Sequence, residues 1–236
     1  MTRIPAIVGI FALALAAAAS AQSLEFGAKA GLDMATMGGD GWDVMEQASE
    51  GWTVDKGYLV GPTGGVFAAL PLGEGNLGLQ AEIFYVMKGA KGEWTGQGVS
   101  FTEKIKNDYI EIPVLISYAF ETGGSARPTV FAGPFAAFNV GSKLQYQNPP
   151  ESFPGEVDVE NARSVDFGAV LGAGIGFGLG TGELSCEARY TMGLQNVYED
   201  VDAADRVEGK TYMVEADGSA LEFKNSDIRF LVGYRF

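Results

Sequence analysis

The stretch LEFGAKAGLDM, residues 24–34, alternates strictly between two kinds of side chain. Apolar residues occupy every second position, and the positions between them hold charged residues or glycine. A period of two is typical of a β-strand whose two faces meet different surroundings. The apolar face comprises Leu24, Phe26, Ala28, Ala30, Leu32 and Met34, and the opposite face comprises Glu25, Gly27, Lys29, Gly31 and Asp33. The stretch therefore predicts a strand with one apolar and one ionic face.

Seven more segments show a similar period, although the alternation is weaker in the first of them. In the segment at 129–140 both faces are apolar, so the pattern predicts a strand but not the direction of either face. Pro113 lies within a clear segment and is expected at a β-bulge. The seven segments lie at 57–70, 77–89, 109–120, 129–140, 166–177, 184–194 and 227–236.

The connections between the predicted strands alternate between short and long. The segments at 72–76, 121–126 and 178–183 are tight turns, whereas the other connections are several times longer. Short turns on one side and long loops on the other are typical of outer-membrane barrels. Strands cross a bilayer only as a closed ring, because an open edge would leave backbone groups without hydrogen bonds. The sequence therefore predicts an all-β, eight-stranded antiparallel transmembrane up-and-down β-barrel with both termini in the periplasm.

We expect the apolar faces to point to lipid and the charged faces to point into the barrel. A soluble ligand-binding barrel would reverse the two faces, but the N-terminal signal, the loop asymmetry and the aromatic last strand favour lipid outside. Eight strands leave a lumen that side chains can fill, so a polar plug is expected rather than an open pore. Closure places the last strand beside the first, which predicts Arg235 near Glu25 and Arg229 near Asp33. The predicted interior network comprises Glu25, Lys29, Asp33, Glu82, Lys88, Glu111, Asp166, Glu187, Arg189, Asp227, Arg229 and Arg235.

The N-terminus has the pattern of a Sec signal peptide. Arg3 precedes an apolar run at 4–18 that is too short for a spanning helix, and small residues follow it up to Ala21. We therefore expect a signal peptide at 1–21 and one outer-membrane β-barrel domain at 22–236. No cysteine follows the predicted cleavage site, so a lipoprotein is not expected. Cys186 is the single cysteine and cannot form an intrachain disulfide.

The composition argues against two classes of function. A net charge of −14 would repel nucleic acid, which is therefore not an expected partner. The chain contains no histidine, the residue on which small outer-membrane enzymes generally rely, and no cluster of other groups suggests a catalytic site. The glycine run at 172–178 falls on alternate strand positions with no helix after it, unlike a dinucleotide-binding turn. We expect neither an enzyme nor a cofactor.

The predicted long loops are acidic. Their oxygen ligands suit Ca²⁺ or Mg²⁺, and such an ion could bridge to lipopolysaccharide phosphates, although acidic loops are more often only solvated. The sequence leaves these two interpretations open, and no metal site is assigned. The acidic loop residues include Asp40, Asp43, Glu46, Glu50, Glu156, Asp158, Glu160, Glu199, Asp200, Asp202 and Asp205.

Aromatic residues concentrate near the predicted strand ends. They fit either of two roles, a belt in the lipid headgroup zone or the capping of a hydrophobic core. At the long-loop end they are Trp42, Trp52, Tyr58, Trp94, Tyr109 and Tyr198, and at the other end they are Phe120, Phe177, Tyr234 and Phe236.

Several strings spread over nearly the whole predicted mature chain carry a family resemblance. They are LEFGAKAGLDMATM, LGLQAEIFYVMKGAK, DYIEIPVLISYAF, VFAGPFAAF, DFGAVLGAGIGF, LSCEARYTMGLQNVY and IRFLVGYRF. Together they resemble the PorT-like outer-membrane β-barrel family, among the small porin-family and OmpA-like barrels. The resemblance implies that Phe230, Tyr234 and Phe236 form a C-terminal signal read by the barrel assembly machinery.

These observations lead to a first hypothesis of function, a structural or surface-interaction role in the outer membrane. The expected features are a plugged polar interior and long acidic extracellular loops in contact with outer-membrane lipids, lipopolysaccharide and an unidentified surface or envelope protein. The alternatives are a small passive pore and an accessory component of an envelope secretion system. A soluble periplasmic barrel is the remaining alternative.

Overall fold

The predicted strands form a closed antiparallel ring in the computed structural model, which describes residues 24–73, 76–148, 155–215 and 217–236. The ring order is β1, β3, β4, β5, β6, β8, β9 and β10, and β10 closes against β1. The eight-stranded all-β fold is thus confirmed. The elements are β1 (Glu25–Gly38), α1 (Gly41–Ala48), β2 (Trp52–Gly57), β3 (Leu59–Pro71), β4 (Leu77–Gly96), β5 (Val99–Ala119), β6 (Ala126–Gln147), β7 (Glu156–Asp158), β8 (Val165–Leu179), β9 (Gly182–Gly193), a 3₁₀ turn (Ala203–Asp205) and β10 (Lys224–Arg235).

The side chains alternate across the ring as the sequence predicts. Leu171 on the outer face is 64% exposed, whereas Arg229 on the inner face is 0% exposed. This facing rules out a soluble barrel with an apolar interior. The structure also shows the direction of the segment at 129–140, whose two faces are both apolar. Phe131 and Phe135 point inward, and Val130 and Val140 point outward. The outward apolar rows, such as 77–87 on β4 and 110–118 on β5, form what we call the apolar band.

The structure corrects the predicted loop between the third and fourth segments. Strands β4 and β5 continue well beyond the apolar band and join through a two-residue turn. Gln97 and Gly98 have φ values of 50° and 78° in that turn, and two successive positive values are typical of a type I′ hairpin. The outward residues here are charged or polar, and the inward residues include Trp94, Phe101 and Ile105. The two faces are therefore reversed relative to the apolar band, and the apolar-outward pattern failed to mark the strand.

The structure also corrects the predicted bulge at Pro113. The register between β5 and β6 is the same on both sides of this proline, and the shift lies between Asp108 and Tyr109 instead. Opposite that shift, β6 carries Val140 as an extra residue between the partners Asn139 and Gly141. A proline removes one backbone donor from the ladder but does not by itself add a residue.

The long-loop end of the barrel is covered by a hydrophobic cluster, which we call the cap. The aromatic residues Trp42, Trp94 and Tyr198 are buried in it, so the capping interpretation holds for them and the headgroup interpretation is wrong. Tyr109 is buried in a second cluster inside the barrel. The cap comprises Met37, Trp42, Ala90, Trp94, Phe101, Ile105, Leu144, Val159, Val197, Tyr198, Met213, Leu221 and Phe223.

The predicted signal peptide at 1–21 lies outside the described residues. Within the described part of the chain, neither helical segment is long and apolar enough to cross a membrane.

Candidate functional site

The charged side chains predicted for the interior all lie on the inner face of the ring. Nine of them are buried, and Glu25, Glu187 and Arg235 are partly exposed. The even spacing of Glu25, Lys29 and Asp33 along β1 distributes the charges into three layers along the barrel axis. Each layer combines acids and bases from several strands, as buried charges require.

The layer nearest the short turns joins the two ends of the described chain. Arg235 Nη1 on β10 donates to Glu25 Oε2 on β1 at 2.5 Å, which confirms the pair predicted from closure. Arg235 Nη2 also lies 3.0 Å from Glu183 Oε2, which in turn lies 3.7 Å from Arg127 Nη1. Glu183 and Arg127 are missing from the predicted network, because Glu183 was placed in a turn and Arg127 precedes the predicted strand at 129–140. Glu183, Ser185 and Glu187 occupy every second position of β9, and this shared parity could have placed Glu183 on the inner face.

The middle layer is centred on Glu82. Arg189 on β9 makes a two-pronged contact with this carboxylate, at 2.6 Å from Nη1 to Oε2 and 3.1 Å from Nη2 to Oε1. Lys29 Nζ donates to Glu82 Oε1 at 2.9 Å and lies 2.6 Å from Glu187 Oε1. The paired geometry of a guanidinium and a carboxylate is among the stronger charged hydrogen bonds in proteins.

The third layer is centred on Arg229. Its Nη1 donates to Glu111 Oε1 at 2.7 Å, and its Nε lies 2.8 Å from Asp227 Oδ1. Arg229 Nε also lies 3.3 Å from Asp33 Oδ2, which confirms the second pair predicted from closure. Lys88 Nζ completes the layer, 2.6 Å from Glu111 Oε2.

Asp166 lies beyond the third layer, towards the long loops. It accepts a hydrogen bond from Asn225 Nδ2 at 3.0 Å, and Asn225 also approaches the Tyr109 hydroxyl at 3.3 Å. Asn225 and Tyr109 are missing from the predicted network, which comprises charged side chains only. Asn225 also precedes the predicted last strand at 227–236, although it has the inward parity of β10.

Two of these ion pairs cross the whole lumen. In a ring of eight strands, the strand four places along is the opposite one, so β9 faces β4 and β10 faces β5. Arg189 and Glu82 join the first of these pairs of strands, and Arg229 and Glu111 join the second. The side chains of opposite walls therefore meet at the barrel axis.

Aromatic rings fill much of the space between the charges. Lys88 Nζ lies 4.2 Å from the centroid of the Phe135 ring, and the guanidinium carbon of Arg189 lies 5.1 Å from that of Phe131. Cations over ring faces gain electrostatic stabilisation. A side chain at Gly172 would clash with the Phe131 ring, so this glycine of the 172–178 run makes room for that ring inside the lumen.

A cavity of about 150 Å³ lies at the short-turn end of the lumen. Its wall combines Glu25, Arg235 and Glu183 with apolar residues such as Leu70 and Leu115. The cavity ends at the middle layer, where Lys29 and Glu187 contribute to its lining.

The buried carboxylate of Glu103 lies against the cap. This residue lies on β5 beyond the apolar band, and its side chain packs among aromatic rings. Trp94 Nε1 donates to Glu103 Oε2 at 2.7 Å. Burial raises the pKa of Glu103 to about 7, although hydrogen bonds from Trp94 and Tyr146 oppose that rise.

The remaining candidate groups lie on the barrel surface. Among the described residues, no three His, Cys, Asp or Glu side chains come together in an arrangement that could hold a metal ion. Cys186 is exposed on the outer face of β9. Phe230 and Tyr234 lie in the outward row of β10, and Phe236 follows the end of the strand. Phe230 is 53% exposed and Phe236 is 69% exposed.

Comparison with known proteins adds a family match. The family model described as an outer membrane protein beta-barrel domain matches residues 20–199. A comparison with curated proteins finds no match.

Several solved outer-membrane proteins are similar to this chain. Neisserial surface protein A has a TM-score of 0.42 and 12% identity, with 91% of this chain and 98% of that chain covered. OprG from Pseudomonas aeruginosa has a TM-score of 0.42 and 10% identity, with 91% and 97% covered. A major outer membrane protein from Thermus thermophilus has a TM-score of 0.47 and 15% identity, with 91% and 100% covered.

Proposed function

This chain belongs to the outer membrane protein β-barrel domain family, and from that premise we propose that it is a non-conducting surface protein of the bacterial outer membrane. In this proposal the barrel is a rigid, plugged anchor, and the long-loop end faces the outside of the cell. Both termini then lie in the periplasm. The protein is not an enzyme and requires no cofactor.

The main support for a plugged lumen is that two ion pairs extend across its full width. Arg189 with Glu82 and Arg229 with Glu111 connect opposite walls in two successive layers. These side chains have no exposed surface. A hydrated ion would have to break at least one buried pair to pass, and an unpaired buried charge is strongly unfavourable.

The cap supports a role at the cell surface. Hydrophobic residues from α1, the β4–β5 hairpin and the segments around 197–223 pack in one cluster above the lumen. The loops therefore present a shaped acidic surface, which suits recognition by an envelope or surface partner. The expected partners are outer-membrane lipids, lipopolysaccharide and one protein of unknown identity.

The proposal also includes assembly by the barrel assembly machinery and membership of the PorT-like family. The exposed rings of Phe230 and Phe236 and the half-buried ring of Tyr234 support recognition by the barrel assembly machinery. The strand strings that resemble the PorT-like family support membership of that narrower group.

Conductance in planar bilayers tests the plug. The refolded protein should give no single-channel steps at voltages where a porin in the same bilayer conducts. A variant with Arg189→Ala, Glu82→Ala, Arg229→Ala and Glu111→Ala removes both crossings and should give transient or stable steps if it folds. Steady steps from the unaltered protein would contradict the proposal and favour a passive pore.

Protease accessibility tests the orientation. A cleavage site inserted at 207–209, in the segment after β9, should be cut on intact cells, whereas one inserted at 122–124, between β5 and β6, should be cut only after the outer membrane is opened. The reverse pattern would place the termini outside the cell.

A further inference from the structure

The outward residues of β5 change from apolar to charged at one position. From Tyr118 back to Ile110 every outward residue is apolar or aromatic, and the next outward residue towards the long loops is Asp108. Tyr85 on β4 donates its hydroxyl hydrogen to Asp108 Oδ1 at 2.9 Å, which marks the edge of the apolar band. Lys106 and Lys104 follow. Lys106 is four residues past Ile110, or roughly 10 Å above the band for a strand tilted by about 40°.

Two further lysines extend this row onto the neighbouring strands. Lys91 on β4 lies directly opposite Lys104, and Lys143 on β6 lies directly opposite Lys106. We call Lys91, Lys104, Lys106 and Lys143 the lysine patch. It holds four of the nine lysines of a chain whose net charge is −14. Like charges directly opposite one another destabilise a sheet, so folding alone does not favour this placement.

The carboxylates near the patch neutralise its flanks but not its centre. Lys91 Nζ lies 2.5 Å from Glu93 Oε1, and Lys143 Nζ lies 2.6 Å from Glu156 Oε1. Asp158 is 4.0 Å from Lys143, and Asp108 is engaged by Tyr85. Within the described ranges, neither Lys104 nor Lys106 has a carboxylate within 4 Å.

The geometry points to a binding site for the phosphate groups of an outer-leaflet glycolipid, centred on Lys104 and Lys106. This inference rests on the proposed orientation, in which the long-loop end faces outward. Lipid phosphates lie just beyond the hydrocarbon zone, at the height where the patch begins. A doubly charged phosphate would relieve the repulsion between the paired lysines, and basic clusters beside a membrane attract anionic headgroups in this way. The apolar band below the patch would accept the acyl chains.

Lipid A titration followed by native mass spectrometry in nonionic detergent tests the site. The double variant Lys104→Gln, Lys106→Gln should bind bis-phosphorylated lipid A about 30-fold more weakly than the unaltered protein, at about a factor of five for each lysine. The double variant Lys210→Gln, Lys224→Gln changes the charge equally, outside the patch, and should bind normally. Dephosphorylated lipid A should bind the unaltered protein as weakly as bis-phosphorylated lipid A binds the patch variant.

Thermal stability gives a second test, because the lysine substitutions should not destabilise the protein without lipid A but should abolish its stabilisation by lipid A. Without lipid A, the patch variant should be as stable as the unaltered protein or slightly more stable, because it loses the opposed charges. With lipid A, only the unaltered protein and the control variant should gain thermal stability. Inorganic phosphate at equal concentration should neither bind nor stabilise.

Three outcomes would overturn the site. They are equal lipid A affinity of the patch variant and the control, no preference for the phosphorylated lipid, and equal binding of inorganic phosphate, which would indicate a free anion as the ligand. If these occur in a folded, non-conducting barrel with external long loops, the site fails while the proposed function stands.

Discussion

Arg229 on β10 and Glu111 on β5 join diametrically opposite strands, with 2.7 Å between Nη1 and Oε1. Because Arg229 also contacts Asp33 and Asp227, one guanidinium links both sides of the closure seam to the far wall. The same side chain therefore contributes to the closure of the ring and connects the closure seam to the opposite wall of the lumen.

Replacing Arg229 should be strongly destabilising. Arg229→Met leaves Asp33 without its ion pair and Glu111 with Lys88 alone, and removing one partner from a buried pair costs about 3–5 kcal/mol. Arg127→Met is the matched control, because the Arg127 side chain is 55% exposed and its loss should cost less than about 1 kcal/mol. Urea unfolding in detergent micelles, followed by the heat-modifiable gel shift, measures both. Equal effects of the two substitutions would show that the buried ion pairs of the lumen contribute no more to the free energy of unfolding than an exposed pair does.

Glu103 should make the cap sensitive to pH. Its pKa is about 7 in the folded protein against a usual value of 4.5, so the folded state holds the extra proton between these pH values. The free energy of unfolding should therefore fall as pH rises from 4.5 to 7, by up to about 3 kcal/mol for this group.

The variant Glu103→Gln isolates that contribution. The difference in unfolding free energy between the variant and the unaltered protein should be small at about pH 4 and should grow to favour the variant by about pH 8. Tryptophan fluorescence during urea titration reports on the cap, which contains Trp94 and Trp42. A difference that does not change with pH would show that Glu103 is not protonated by burial.

Cys186 provides a test of which face meets lipid. Its side chain is exposed on the outer face of β9, so in membranes a charged thiol reagent should not reach it, whereas a lipid-soluble maleimide should. On a Cys186→Ser background, Val207→Cys places a thiol at a position that is 60% exposed in the segment after β9 and should react with the charged reagent. Rapid reaction of Cys186 with the charged reagent would contradict a lipid-facing position.

Phe236→Ala should slow assembly into membranes. The Phe236 side chain is exposed, and its backbone N–H donates to Phe26 O at 3.0 Å across the closure seam, a bond that the substitution retains. The appearance of the heat-modifiable folded form in vesicles that contain the barrel assembly machinery measures the rate. Phe177→Ala removes another exposed ring from the short-turn end and is the control. Equal rates for the two variants would argue against a terminal signal.

The sequence by itself determined the number of strands in the ring, the direction of the faces of seven of them and two ion pairs of the interior. Side-chain alternation separates the apolar face of a strand from its polar face, and antiparallel closure makes the last strand a neighbour of the first. Arg235 with Glu25 and Arg229 with Asp33 follow from these two facts.

Only the tertiary structure decided which charges meet across the lumen. The contacts of Arg189 with Glu82 and of Arg229 with Glu111 depend on the tilt and stagger of strands that are distant in sequence, and local periodicity carries no information about either. The same limit applies to the cap and to the β4–β5 extension, where packing between loops replaces the contrast between lipid and lumen. In the extension apolar residues pack inward against the cap and polar residues face outward, the reverse of the membrane-facing part of the barrel, so three-dimensional contacts are needed to identify the strands.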